Sequence, residues 1–495
     1  MSATTKGGAP AEQSALDRFF HLSERGTTIG SEIRGGFVTF FTMAYILVLN
    51  PIILSGTDST GKYLGGGDEP NMVAIAAGTA LVAGIVTILM GAVANYPLAL
   101  AAGLGLNSMV AYTIIQIPGM TWKDGMGIIV LEGIVVLLLV LTGLRQAIFN
   151  AVPKFLRTAI SVGIGLFVAL IGLVNAGLIR PGNGTVLGFA SSGSIDSIPL
   201  LIFILGVILT SLFMVKNVRG GILISIIVTT ILAVIIEAVA HLGSFAQYDD
   251  AGNQIDPNLA GWQSVPSLSG SPIQIPDFST LGQFSVVTPF QHAGVIAVVV
   301  LAFSAMLADF FDTMGTMVAV GAEGNLLDEN GNPYNSQKIL LIDSIGAIAG
   351  GAGGVSSNTS FVESASGVAD GARTGLASIV TGILFLLSTF LAPLVTLVPS
   401  EAAAPALVAV GFLMMQQVTD IDWKDMAIAI PAFLTIILMP FGYSITVGIG
   451  VGFIFYALMQ LLRGKAKDVH PLMWVVSAMF LIYFLLGPIQ SALLG

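Results

Sequence analysis

Asp309, Asp312, Thr313 and Thr316 stand at i, i+3, i+4 and i+7 inside the otherwise apolar run 308–316. On an α-helix those spacings bring all four side chains to one face. Phe310 and Phe311 flank that face. Charged groups inside an apolar span are costly and cluster where substrates or protons pass. Two ionised acids this close repel, so the pair suits proton exchange and the capture of neutral N–H donors.

A second constellation follows a glycine-rich break at 350–354. The polar, β-prone run 355–360 leads into Phe361, Val362 and Glu363, where a short helix is expected to open. Irregular backbone survives in lipid only where it lines a cavity. A helix starting there aims free N–H groups at a ligand, with Glu363 in its first turn. The counterpart lies at 95–108. Pro97 starts an extended piece, Gly103 and Gly105 precede another half-helix, and Asn107 sits in its opening turn. Paired interrupted helices at matching places are the sequence signature of a midplane transport site.

These groups offer acids, an amide, hydroxyls, backbone donors and aromatic faces, with no Lys or Arg among them. A permanent anion would be repelled. A bare sodium ion has no use for flanking phenylalanines. A flat, neutral heterocycle fits: a carboxylate accepts from a ring N–H and an adjacent amine, while Phe310 or Phe361 stacks on the ring. Protonation of one acid would then be linked to binding, which is the basis of proton symport. The other acids in apolar spans, Glu132, Glu237 and Asp343, stand alone in sequence. Glu132 reads as a brace for the core or a proton relay. Asp370 and Arg373 read as an interfacial pair or cap, and His292 as interfacial.

The elements that must position these residues follow from composition. Of 495 residues, 55% are hydrophobic and 9% charged, against roughly 25% charged in ordinary soluble domains. Mean hydropathy is +0.91. The chain therefore reads as an all-α polytopic membrane protein. A net charge of -10 with no basic cluster argues against nucleic-acid binding. Zero cysteines and four scattered histidines exclude thiol chemistry and offer no metal-ligand set. No cofactor is expected. No nucleophile–base pair suggests an enzyme.

Apolar runs predict about 14 transmembrane segments. They fall near 35–54, 72–94, 96–116, 125–144, 153–178, 198–214 and 220–240, then 291–320, 337–350, 361–369, 374–398, 402–417, 426–439 and 444–462. A further run, 471–486, is either another span or a helix lying against the bundle. Val152-Pro153 precedes Gly165 by the same interval as Val398-Pro399 precedes Gly411. The chain is thus read as two repeats of seven spans, and an odd number per copy makes the repeats inverted. The first 30 residues lack a signal-peptide core and are expected to stay cytoplasmic. With that orientation all but Lys62, Lys123 and Arg180 of the 18 Lys and Arg fall inside, a strong positive-inside bias.

The motifs 308–316, 356–367 and 103–107, with the run Gly35-Gly36-Phe37 to Tyr45, carry a resemblance over almost the whole chain. The sequence resembles the AzgA-like adenine/guanine/hypoxanthine permeases, a branch of the nucleobase–cation symporter-2 group. That resemblance implies a core domain of spans 1–4 and 8–11 (31–145 and 287–398) and a gate domain of spans 5–7 and 12–14 (146–242 and 399–463). It leaves a tail (1–30), an extracellular loop (243–286) and a C-terminal apolar segment (464–495). Short strands should precede half-helices 3 and 10. Asp309 and Glu363 should be the main purine-binding acids, supported by Asn107 and Gly105. Asp312 should lie nearby as a proton-linked group, with Thr313, Phe310, Phe361 and Val362 completing the wall. Proton coupling is expected at Asp309, Asp312 and Glu363. The implied protein imports purine nucleobases with H⁺ across a bacterial inner membrane by an elevator motion, with a homodimer suggested by analogy. Glu363 is followed by Ser364 where the broader group has Asn, which favours the purine branch. The alternatives are a uracil or xanthine carrier and, in a different class, a channel or membrane sensor.

Overall fold

The computed structural model describes residues 15–143, 151–182, 185–190, 194–195, 197–247, 257–268, 270–329 and 332–486. Parts of the expected N-terminal tail, the long loop and the C-terminal segment, with Lys6 and Arg145, lie outside them. Among the described residues, ten helices are long and apolar enough to cross a membrane, from Ile29–Ile53 to Ile445–Leu462. Leu104–Ile114, Met426–Phe441 and Pro471–Phe484 are shorter apolar helices. The protein is a helical, multi-pass membrane protein.

Both expected strands are present. Leu100–Ala102 and Asn358–Ser360 pair antiparallel, with Leu100 opposite Ser360 and Ala102 opposite Asn358. Each is fully buried, so every backbone polar group needs a partner. Neighbours complete the ladder: Phe361 N donates to Ala99 O at 2.9 Å and Gly103 N to Ser357 O at 2.9 Å. The Thr87 hydroxyl both donates to Leu100 O and accepts from Leu100 N, each at 3.0 Å. The half-helices Leu104–Met109 and Ser364–Ala369 start directly beyond this ribbon.

Two helices depart from expectation. The first span is two helices, Ile29–Met43 and Ile46–Ile53, broken at Ala44-Tyr45. Pro51 lies inside the second piece and has no N–H for the Leu47 carbonyl. The turn before it is tightened, with Leu47 N bonded to Ala44 O and Val48 N to Tyr45 O. The tenth span opens at Ser364 rather than Phe361, leaving Glu363 at its N-cap. The run at 471–486, read as another span or a helix lying against the bundle, forms the helix Pro471–Phe484, which packs on Ile445–Leu462: Ser477 Oγ donates to Phe453 O at 3.1 Å, and the Phe453 and Phe480 rings sit 6.0 Å apart.

Asp370 does not pair with Arg373. It accepts from Arg34 and Arg219, joining the first span to the 6–7 turn. Burial opposes its charge, yet the two guanidinium hydrogen bonds hold its carboxyl below the ordinary range.

Close helix packing depends on glycine. Lys154–Asn175 and Ser400–Met415 cross at Gly165 and Gly411, and a Cβ on either would strike the other's carbonyl oxygen. Gly411→Val should therefore cost about 1–3 kcal/mol through overpacking. The check is a lower melting temperature in detergent, against Phe412→Val on the exposed side of the same helix as control.

Candidate functional site

The two half-helix starts and the broken first span meet around a cavity of about 100 Å³. One wall carries Tyr45, Gly105, Asp312, Phe361, Val362 and Glu363; the facing wall is Ile164, Val410 and Met414. No Lys or Arg lines it. The break at Ala44-Tyr45 turns the Tyr45 hydroxyl toward Glu363, where it donates to Oε1. Glu363 is half-buried and Asp312 is accessible, so both carboxyls can meet a ligand. Gly105 keeps the cavity narrow: a Cβ there would stand 2.5 Å from Ile164 Cγ2.

Other expected residues lie elsewhere. Asp309, expected beside Glu363, does not line the cavity. It is fully buried, and its acidic neighbours are Glu132, Asp343 and Asp312. The reason is angular: three residues advance about 300° around a helix and so leave two side chains about 60° apart, and the cavity meets the edge of the shared face that carries Asp312 and Thr316 while Asp309 turns toward Glu132 and Asp343. Thr313 also points behind. Its hydroxyl donates to Asp343 Oδ1 at 2.9 Å and lies 2.8 Å from the Thr359 hydroxyl. Phe310 is buried and packs edge-on to Phe311 at 5.6 Å. Asn107 is fully buried and holds the half-helix in place, donating to Asn50 Oδ1 at 2.6 Å.

Sequence reasoning missed Tyr45 and undervalued Asp343. The Asp343 carboxylate accepts from Thr313 and from the Ser360 hydroxyl (2.8 Å) and N–H (3.1 Å). It therefore fixes the end of the strand that precedes Glu363. Its partners come from a strand and another helix, so spacing alone carries no sign of them. Glu237 is a cap for the loop beyond its helix, accepting from Leu242 N and Trp262 Nε1. His292 Nδ1 lies 2.8 Å from Asp124 Oδ2 at the end of the bundle.

A half-helix pair around a small, acid-lined cavity is the geometry of a carrier, and comparison decides which kind. The model of the xanthine/uracil permeases, described as a permease family, matches residues 30–451. The chain belongs to the xanthine/uracil permease family. It is 39% identical to the guanine/hypoxanthine permease PbuG of Bacillus subtilis over 475 residues, covering 95% of this chain and 99% of that one. Against the adenine permease AdeP of Escherichia coli it is 36% identical, covering 95% and 96%. The nucleobase transporter PlAzg2 of Paenibacillus larvae is 33% identical, over 86% and 76%.

The fold of this permease is shared more widely. The transmembrane domain of a cyanobacterial bicarbonate transporter, BicA, superposes with a TM-score of 0.55 at 14% identity, covering 86% of this chain and 97% of that one. The murine Slc26a9 anion transporter gives 0.57 at 11% identity, covering 93% and 74%. At that identity the likeness speaks to architecture alone.

In the permease, the Tyr45 hydroxyl sets how Glu363 presents its carboxyl. Tyr45→Phe removes one hydrogen bond to a charged group, a contribution of roughly 1.5–3 kcal/mol. The expected result is a substrate affinity about tenfold weaker or more, with unchanged membrane abundance, read by competition binding on purified protein.

Proposed function

We propose that this permease is a secondary active transporter that imports purine nucleobases (adenine, guanine or hypoxanthine) with protons across a bacterial inner membrane. The observation that carries this reading is that Asp312 and Glu363 line one small, cation-free cavity beside the half-helix starts. Its volume of about 100 Å³ is small beside the roughly 300–1,000 Å³ of pockets for drug-sized ligands. A carboxylate there accepts from a ring N–H and an exocyclic amine, and the Phe361 ring supplies an apolar face. The relatives' names, guanine/hypoxanthine and adenine permease, support the substrate class.

Asp312 is the group we assign to the proton. Its carboxyl is accessible from the cavity, so one protonation event and one binding event are coupled there. We assign Asp309, with Glu132 and Asp343, to the buried backing of the site. The elevator reading has the core (31–145 and 287–398) moving against the gate (146–242 and 399–463). It is supported by the division of the cavity walls, because Ile164, Val410 and Met414 face the half-helices from the gate side.

The inverted repeat of seven spans is supported by paired contacts. Gly165 and Gly411, matched in sequence, pack on each other. Met72–Leu89 packs on Gly375–Ser388 at Gly84 and Gly382, and Trp122–Thr142 packs on Ser336–Ala352 at Gly133 and Gly351. Exchanging spans 2 and 11 for 9 and 4 turns one pair into the other.

The test is uptake of radiolabelled purines into proteoliposomes with an imposed pH gradient and competing bases. Saturable accumulation that collapses with the gradient is the expected result. Flux that never saturates would make the protein a channel, and competition by uracil or xanthine alone would shift the substrate class.

A further inference from the structure

Arg373 is the sequence feature that the transport cavity leaves unused. It lies in a second, larger cavity of about 830 Å³. Arg25 enters from the N-terminal segment that follows the helix Ala15–Phe20. Asn325 comes from the end of Gly294–Gly324, Tyr334, Asn335 and Lys338 from the start of Ser336–Ala352, and Arg373 from the turn after Ser364–Ala369.

The cations of this cavity outnumber the acids near them: Glu24 and Glu32 act on Arg25 through space, and the Glu32 carboxylate is taken up by the backbone N–H groups of Arg373, Thr374 and Ala377. Arg25, Lys338 and Arg373 line it together, and none of them has an ion-pair partner among the described residues. Arg25 Nη1 donates to Asn95 O at 2.7 Å and to Arg373 O at 3.0 Å. Arg373 Nη1 donates to Val368 O at 2.5 Å and Ala372 O at 2.7 Å. Those carbonyls orient both guanidinium groups without neutralising them. No hydrogen bond or ion pair engages Lys338 Nζ among the described residues. The one carboxylate in the wall, Glu24, is 77% exposed and lies 3.0 Å from His21. In a chain of net charge -10, three cations around one cavity, none in a direct ion pair among the described residues, mark a place for an anion.

The form of the anion follows from the donors and the space. Guanidinium forks and an ammonium match a phosphate dianion. The volume far exceeds a bare phosphate and falls in the range for small organic ligands. The Tyr334 ring is 47% exposed, and the amides of Asn325 and Asn335 can meet polar groups on the ester. We propose that this cavity binds an organic phosphate monoester, held by Arg25, Lys338 and Arg373 at a site separate from the transport cavity. The monoester comes either from a soluble nucleotide or from a lipid head group. Bound there, it would tie the N-terminal segment to the 8–9 connection and the 10–11 turn.

The experiment uses the full-length protein purified in neutral detergent. Thermal unfolding is followed with GMP against guanosine, and with short-chain phosphatidic acid against the matching diacylglycerol. At least one phosphate should raise the melting temperature while its phosphate-free parent does not, and added salt should weaken the effect. A response to GMP alone assigns the site to a soluble nucleotide, and a response to phosphatidic acid alone assigns it to a lipid head group. Lys338→Ala removes an exposed side chain that holds nothing in the fold, and should raise the half-saturating concentration about tenfold. Its purine uptake in the absence of phosphate ligand should match that of the wild type. The proposal is overturned if neither phosphate shifts the melt, if the parents shift it equally, or if Lys338→Ala binds as the wild type does. The readout is binding, so it stands or falls independently of the transport assignment.

Discussion

Glu363→Gln is expected to remove saturable purine uptake while leaving the amount of folded protein in the membrane unchanged. The amide keeps a carbonyl oxygen, so Tyr45 can still donate to it and the local fold persists. What changes is the face toward the substrate. An acceptor becomes an NH₂ donor opposite ring N–H donors, and a charge-assisted hydrogen bond is replaced by a donor–donor clash. Losing one such bond costs roughly 1.5–3 kcal/mol, or about ten- to a hundredfold in affinity. The unpaired donors left in a desolvated site add to that loss. Uptake and equilibrium binding should be measured on the same preparation. Wild-type binding by this variant would falsify the assignment of Glu363 as the substrate carboxylate.

Asp312→Asn should act differently. The cavity keeps its shape, because asparagine is nearly isosteric and Glu363 still presents its carboxylate. The protonation step is lost. Binding and base-for-base exchange should fall by no more than about tenfold, the size of one modest polar contact. Accumulation driven by an imposed pH gradient should disappear, and the pH profile of uptake should flatten. Asp309→Asn is the necessary comparison, since both acids share a helix and only Asp312 opens into the cavity. If the Asp309 variant loses the pH profile and the Asp312 variant keeps it, the proton belongs behind the cavity.

The two interrupted spans were legible before any coordinates. Pro97, Gly103 and the glycine run at 350–354, within which the helix Ser336–Ala352 ends, disfavour a continuing helix, and an apolar chain cannot leave the resulting backbone groups bare. Tyr45 was not legible as a partner of Glu363. The separation of 318 positions is bridged only by the pairing of the first span with the tenth. Asp343 was hidden in the same way, since its donors come from Thr313 and Ser360. The Asp370 ion pairs were misread because Arg373 is close in sequence, whereas Arg34 and Arg219 are close in space.

Hydropathy, breaks and acid spacing are local properties, written along the chain within a helical turn or a span's length. They were enough to specify a membrane carrier with two half-helices and acids near its middle. Which of two neighbouring acids opens into the cavity depends on the rotation of one helix about its axis. That rotation is set by what packs on every side: Glu132 and Asp343 behind, the strand ribbon beside, and Ile164 and Met414 across the gap. No single segment contains that information, because the energy of side-chain packing is shared among all the elements that meet there.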